Sequence, residues 1–536
     1  MDSMIYNPAD DFDSKYKALH KDKTAAFFDE LVKKSGVDVE ANRKTVAEYD
    51  LCEATEKKLK KKLILWRVLR VLMIITVVLI PLVILKITPM IKAMREELAH
   101  TDDRSNELLA EAHRQMAPLN GLFTDTDALR IIENTIPMIK FAPCFSAQQE
   151  ENMRVNYDFV CDGDGDESAT SILAGDYNGN PFVFEDKLVH RMGTKIYSGY
   201  KVIHWTETYR DGNGRLRTRM RSQTLHATVT KPAPFYFNEI TLNYCAQGGP
   251  ELSFSRDATH LEKKNEKQID KYIKRGERKL KRLTDDAIKD NREFVSMSNT
   301  DFEVLFDALD RNNEVQFRTL FTPLAQTNMV DLIRSQTGFG DDFNFVKQKR
   351  TNKITTHHSR SRELFPRVSA YTSYSFDIIK EQFARINEKF FKDVYFDFAP
   401  VLAIPMYQDR PVHSLNPIPE RPRTYAYKEF ESMANALDRS LVVHPETVTL
   451  PILKTSFVSS VGDLDEIEVH AFSYKTIPQV DFVMVFGGDG RLHSVPVPWD
   501  DYIPINKTTS FTVSPRELAE NRHILAQRGN ICIYNK

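Results

Sequence analysis

A chain of 536 residues with 73 Lys and Arg, 75 Asp and Glu and a formal net charge of −2 has no overall field that would gather nucleic acid. Its content of 41% hydrophobic and 28% charged residues, with 33 Phe and 20 Tyr to build cores, excludes a disordered chain and predicts two or three globular domains. Cys144, Cys161, Cys245 and Cys532 are scattered over the main body without the density of a disulfide scaffold, and two bridges or none are equally writable.

Residues 1–62 read as a small helical region. Phe27, Phe28, Leu31 and Val32 share one side of a helix closed by Gly36, and Asp38 is placed to cap a second helix running through Val46, Tyr49 and Leu51. That helix enters the basic run Lys57, Lys58, Lys60, Lys61, Lys62, and residues 63–91, Leu63 to Ile91, follow as an apolar stretch. The stretch begins too deep in the chain for a removable signal and predicts a retained, single-pass transmembrane helix. Its uncharged core, Val71 to Leu85 between Arg70 and Lys86, is 15 residues long. At about 1.5 Å per residue this covers roughly 22 Å of a hydrocarbon layer about 30 Å thick. Snorkelling by Arg70 and Lys86 and an interfacial Trp66 would lengthen the span, and Pro81 lies inside it. Seven Lys or Arg in residues 51–70 against four in residues 86–105 predict a cytoplasmic N-terminus and a body across the membrane. Cysteine usage does not decide between compartments.

Residues 92–118 predict a juxtamembrane helix, a stalk punctuated by Met94, Leu98, Leu108, Leu109 and Met116 and ending at Pro118. Residues 119–400 then read as the main α+β domain. Thr124 and Asp125 open a short helix carrying Ala128, Ile131 and Ile132, and Asn178-Gly179 marks a β-hairpin because both positions tolerate positive φ. Alternation from Tyr200 to Tyr209, the turn Asp211 to Gly214 and the return Arg215 to Thr230 predict a second antiparallel hairpin. The run Gly175 to Glu185, with Phe302 to Gln326 and its Phe317-Arg318-Thr319-Leu320-Phe321-Thr322-Pro323, resembles a bacterial family of uncharacterised membrane proteins, a domain of unknown function, over about Leu119 to Phe345. The resemblance implies an α+β domain, cytoplasmic or membrane-apposed, behind a basic and hydrophobic membrane segment. That family usually has two such segments where one is counted here, and it supplies no active-site residue.

Within residues 261–290 the run Lys263 to Arg282 is half Lys and Arg, with Ile269, Tyr272, Ile273, Leu280 and Leu283 at helical spacing. Two readings stay open: an apolar stripe packed on the sheet, or a basic face laid on anionic lipid. No aromatic stacking platform accompanies the charges, so nucleic acid is not expected as a partner. Asp162 to Glu167 alternates carboxylates as a calcium loop does, but Glu167 stands where the turn Gly belongs and Leu173 where the bidentate Glu belongs, so an ordinary acidic loop is expected. Gly338 to Asp342 and the stretch with His357 and His358 predict a surface loop, and adjacent histidines on a strand point to opposite faces. Gly487 to Gly490 sits between two strands and predicts a hairpin turn rather than a phosphate loop.

Phe376, Ile379, Phe383, Ile386 and Phe390 predict an amphipathic helix covering the sheet. Residues 401–424 with Pro405, Pro411, Pro417 and Pro419 predict a linker, and residues 425–536 an α+β unit that starts with a helix over Tyr427 to Leu437. The fold class expected is therefore α+β: one transmembrane helix, then a large body of antiparallel sheets with covering helices. No G-x-S-x-G elbow, H-E-x-x-H helix, P-loop or CxxC pair is present, so no catalytic, cofactor-binding or metal residue is assigned. The pattern favours a membrane-anchored interaction or scaffold protein of the cell envelope, attached to the bilayer through Leu63 to Ile91. The alternative is an envelope hydrolase with a site assembled from distant loops, which a deep pocket joining His357 or His358 to Asp341 would favour.

Overall fold

A computed structural model describes residues 4–75, 83–160, 165–289, 296–336, 338–411, 425–461, 464–513 and 531–534. The protein is α+β with antiparallel sheets. Its contacts divide it into two compact units, one of Asp10–Pro137 with Phe365–Tyr395, the other of Met1–Ala9, Met138–Leu364 and Phe396–Lys536. The first is helical; the second holds both sheets. The longer helices in chain order are α1 (Lys17–Ser35), α2 (Val39–Ile75), α3 (Thr88–Asn120), α4 (Asp127–Thr135), α5 (Ala147–Tyr157) and α6 (Glu266–Lys289). They continue with α7 (Thr300–Phe306), α8 (Glu314–Leu320), α9 (Pro323–Arg334), α10 (Phe376–Leu402) and α11 (Tyr427–Ala436).

In the helical unit the caps fall where local chemistry puts them. Gly36 ends α1 at φ 65, a left-handed position that a Cβ would strain. Asp38 Oδ1 accepts the Ala41 N–H at 3.0 Å. The expected single helix over Leu63 to Ile91 is not what the described residues form. Its first part belongs to α2, and its later part comprises a π-helical turn, Val83–Ile87, and the start of α3. The two helices run antiparallel: Gln115 Nε2 donates to Thr45 Oγ1 at 3.1 Å, Arg104 lies 3.7 Å from Glu48, and Val83, Ile87 and Ile91 pack against Trp66 and Met73. Among the described residues no helix is long and apolar enough to cross a membrane. The stalk residues Leu108 and Met116 are buried in this hairpin and the adjoining core, where Met116, Leu119, Phe123 and Ile131 meet Phe28, Tyr371, Phe376, Ile379 and Phe383. The start of α10 therefore covers helices here and not a sheet. Its last turns, in the other unit, do reach the sheet: Phe398 stands edge-on to Phe182 and Phe184 at 4.9 and 5.3 Å.

The second unit is built on a seven-stranded sheet in the order β1-β2-β3-β4-β7-β6-β5. Its strands are β1 (Ile139–Phe141), β2 (Glu167–Tyr177), β3 (Asn180–Arg210), β4 (Leu216–Cys245), β5 (Ser253–Arg256), β6 (Phe343–Gln348) and β7 (Thr351–Thr356). Asn178 and Gly179, at φ 50 and 90, make the tight β2–β3 turn. A four-stranded sheet, in the order β11-β10-β9-β8, comprises β8 (Ile452–Val461), β9 (Leu464–Phe486), β10 (Leu492–Val513) and β11 (Ile531–Tyr534).

Beyond His190 and Tyr236 the β3–β4 pair leaves the seven-stranded sheet as a two-stranded ribbon, which alone would be marginal in water. The β9–β10 ribbon covers one of its faces. Ile203, Leu225 and Ala227 are buried against Val495 and Val497, and a Cβ at Gly199 would overlap the Pro496 carbonyl oxygen, so the approach requires glycine. Lys231 closes the contact 2.7 Å from Asp481 and 4.1 Å above the Trp499 ring.

The basic helix α6 buries Ile269, Ile273 and Leu280, and Gly276 lets Val304 of α7 approach closely, so its apolar stripe is consumed inside the unit. The linker expected over residues 401–424 is not what its described part, residues 401–411, forms. Residues 412–424 lie outside the described residues, while Val401, Leu402, Tyr407 and Gln408 are buried, with Gln408 Oε1 accepting the Ile5 N–H and the Tyr177 hydroxyl. Pro405 opens a 3-10 turn there and does not mark a solvated tether.

Candidate functional site

The second unit holds a cleft of about 350 Å³ walled by strands of both sheets, lined by Asp166, His190, Tyr236, Phe472, Ser473 and Tyr474 among others. Antiparallel pairing puts these groups together. β2 and β3 fold back so that the His190 N–H donates to the Asp166 carbonyl at 2.7 Å, and Tyr236 on β4 is the direct cross-strand partner of His190. The His190 ring stands 5.2 Å from Tyr236 and 5.5 Å from Tyr474. Its Nδ1 lies 3.0 Å from Asp166 Oδ1. A carboxylate only accepts, so Nδ1 is the donor of this bond. The ring's Nε2 is buried and has no hydrogen-bond partner among the described residues. Burial raises the pKa of both tyrosines, and the Asp166 charge adds to it.

A histidine held at Nδ1 by a carboxylate has the arrangement of a general base. The rest of a nucleophilic site is not assembled: the Ser473 hydroxyl is engaged with Thr447 Oγ1 at 2.9 Å, and the Tyr236 hydroxyl donates to Thr449 Oγ1 at 3.2 Å. The cleft can therefore hold a small ligand against aromatic faces beside the His190 ring. No local pattern marks the pair, because Asp166 sits in the stretch read as an ordinary acidic loop and His190 lies a hairpin away. Residues 161–164 of that loop are outside the described residues; Glu167 pairs with Lys187 at 3.1 Å. Among the described residues no group of three or more His, Cys, Asp or Glu side chains is placed to hold a metal.

The histidines singled out in the sequence do something else. His358 is buried, not on a surface loop, with Nδ1 2.8 Å from Asp342 Oδ2 and Nε2 3.3 Å from Asp397 Oδ1, its ring stacked 3.8 Å from Phe339. Asp397 also pairs with Arg362 and accepts from Thr356 at 2.6 Å. Burial alone would lower the His358 pKa, but the two carboxylates outweigh it and push it up to about 9. Burial likewise opposes the charge on Asp397, yet Arg362 and His358 hold its carboxyl below the usual range. Asp341 belongs to a separate network with the Arg256 guanidinium, Thr259 and the Leu261 N–H, and His357 faces His260 at 4.4 Å. Neither histidine converges with Asp341 on a pocket. Cys52 and Cys245 are free thiols.

The remaining surface of note is on the helical unit. Ile64, Leu65, Val68, Val71 and Leu72 of α2, and Leu85 in the π-helical turn, are all exposed by more than half, directly after the basic run from Lys57 to Lys62. No protein-family model, curated protein or solved structure matches the chain.

Proposed function

We propose that the protein is a membrane-attached interaction module of a bacterial cell envelope, held to the bilayer by the α2–α3 helical hairpin. The observation that carries this is the exposed apolar group from Ile64 to Leu85 beside a collar of lysines. Withdrawing six such side chains from water is worth about 1.5 to 3 kcal/mol each, and each lysine near anionic headgroups adds about 1 kcal/mol. Because the two legs are antiparallel, the chain enters and leaves the bilayer on one face. The N-terminal region and the body then share the cytoplasmic side, in place of the split predicted from the seven-to-four charge bias.

Flotation of the full chain with anionic vesicles tests the attachment. The wild type is expected in the lipid fraction, and the Leu65→Glu, Val68→Glu, Leu72→Glu variant in the soluble fraction with unchanged helical content; a variant that still floats would sink the proposal. Impermeant thiol labelling of intact cells tests sidedness, with Cys52 and a cysteine placed at Thr208 both expected to be protected. Labelling at Thr208→Cys alone would restore the split topology.

A second reading, an envelope hydrolase, is favoured by one observation, the unpartnered Nε2 of the Asp166-held His190. It requires His190→Ala to abolish a turnover that attachment variants leave intact.

A further inference from the structure

The walls of the cleft combine aromatic faces with a carboxylate. His190 and Tyr236 are cross-strand partners on β3 and β4, and Phe472 and Tyr474 alternate onto one face of β9. Thr449 ties the two tyrosines together: its Oγ1 accepts the Tyr236 hydroxyl at 3.2 Å and the Tyr474 N–H at 3.1 Å. With that hydroxyl engaged, Tyr236 offers its ring, and Ser473 is likewise engaged with Thr447. Among the described residues that line the cleft, Asp166 is the one acid and no Lys or Arg joins it. Its side chain is 65% exposed, so its charge is open to an incoming ligand. The same charge reaches both tyrosines, adding to the upward shift that burial causes in each pKa. The His190 side chain, 8% exposed, lines the cleft with an Nε2 that has no hydrogen-bond partner among the described residues.

We infer that this cleft binds a small alkylated ammonium that also carries a hydroxyl. Aromatic faces beside a negative charge attract a cation without any hydrogen bond, because each ring presents the negative side of its quadrupole. A primary ammonium brings three N–H donors and would leave some unmet here, since the Ser473 and Tyr236 hydroxyls are already engaged. Alkyl groups in place of those hydrogens remove the demand and add apolar contact with the rings. A neutral polyol meets the same shortage at several hydroxyls, and an anion is repelled by Asp166. A single hydroxyl has a place, because it donates or accepts and so matches His190 Nε2 in either protonation state of the ring. At about 350 Å³ the cleft lies at the small end of ligand pockets, which suits a ligand of a few heavy atoms. Its walls are paired strands tied at Thr449, so little ordering cost is met on binding. The site lies wholly in the sheet-bearing unit and owes nothing to the α2–α3 hairpin.

Equilibrium dialysis of labelled choline against the full chain in a nonionic detergent tests this. Saturable binding is expected at or below about 1 mM. The neutral alcohol in which carbon replaces the choline nitrogen keeps shape and hydroxyl, and is expected to compete at least about tenfold less well. Asp166→Asn and Tyr474→Leu should each weaken binding about tenfold, while Tyr474→Phe, which keeps the ring, should bind as wild type does. Asp166→Asn is expected to stay folded in thermal melts, since that side chain is 65% exposed. The Leu65→Glu, Val68→Glu, Leu72→Glu variant should bind choline as wild type does, which separates this site from attachment. Glycerophosphocholine distinguishes the sources of the group: affinity equal to that of choline points to a lipid headgroup, and markedly weaker affinity to a free solute. No saturable binding up to about 10 mM, equal competition by the neutral alcohol, or Asp166→Asn binding as tightly as wild type would overturn the inference.

Discussion

Two histidines of the sheet-bearing unit each lie against a carboxylate through Nδ1, and they differ in what the second nitrogen meets. His358 Nε2 meets Asp397, in a site completed by Arg362 and Thr356; His190 Nε2 meets no partner among the described residues and borders the cleft. A histidine with both nitrogens donating to carboxylates is a fixed cation, part of the fold's electrostatic frame. One whose second nitrogen has no partner retains chemistry to offer. Exposure does not separate them, since both side chains are under a tenth exposed; hydrogen-bond saturation does.

The largest expected effect tests the saturated member. His358→Ala leaves Asp342 and Asp397 buried around a missing cation and is expected to lower unfolding free energy by about 3 to 5 kcal/mol in denaturant titrations. A loss under 1 kcal/mol would show that water replaces the imidazolium, and the contrast with His190 would collapse.

The pH dependence comes next. The His358 pKa is raised in the fold, so its contribution is complete below its ordinary value of 6.5 and is lost as pH rises toward about 9. Across that window stability is expected to fall by about 3 kcal/mol, and His358→Gln should flatten the slope. His20 of the helical unit supplies the opposite sign. It is stacked 4.0 Å from Phe391, and burial lowers its pKa to about 4. The folded state favours the neutral ring, so this contribution is present above 6.5 and lost as pH falls toward 4. His20→Gln should remove that acid limb in thermal melts followed against pH.

The smallest stability effect is expected at the cleft. His190→Gln gives up one charge-assisted hydrogen bond and should shift stability by about 1 kcal/mol. The readout that matters there is a ligand: small aromatic or polar compounds that perturb the Tyr236 and Tyr474 ring resonances in wild type and leave those of the variant unmoved would confirm the His190 ring as a contact. A loss as large as that of His358→Ala would mean that His190 is equally structural.

Much of the fold was legible because it is written locally. Asn178-Gly179, Asp211 to Gly214 and Gly487 to Gly490 specify turns through their own backbone preferences, and Gly36, Asp38 and the Phe376 to Phe390 spacing specify helix ends and faces. What escaped depends on partners distant in sequence. His358 reads as exposed until Asp342 and Asp397 are brought to it by separate elements. The Pro405 region reads as a tether until Tyr407 and Gln408 are found buried. Hydrophobic length carries no record of chain reversal, so Leu63 to Ile91 reads as one helix although it divides between two antiparallel ones. The cleft was illegible for the same reason, since the pairing of Asp166 with His190 is created by strand register alone.

The extent of the β3–β4 ribbon has a mechanical consequence. From Val189, the last β3 residue paired to β2, to Arg210 at the tip is a reach of about 70 Å at the rise of an extended strand. Stiffened on one side by β9–β10 and anchored by the Gly199 contact, such an arm behaves as a lever: a tilt of about 5° at its root carries the Asp211 to Gly214 turn roughly 6 Å. Small repacking near the cleft at its base, as when a ligand displaces Tyr236 or Tyr474, would be read out at the tip as a displacement larger than the width of a strand.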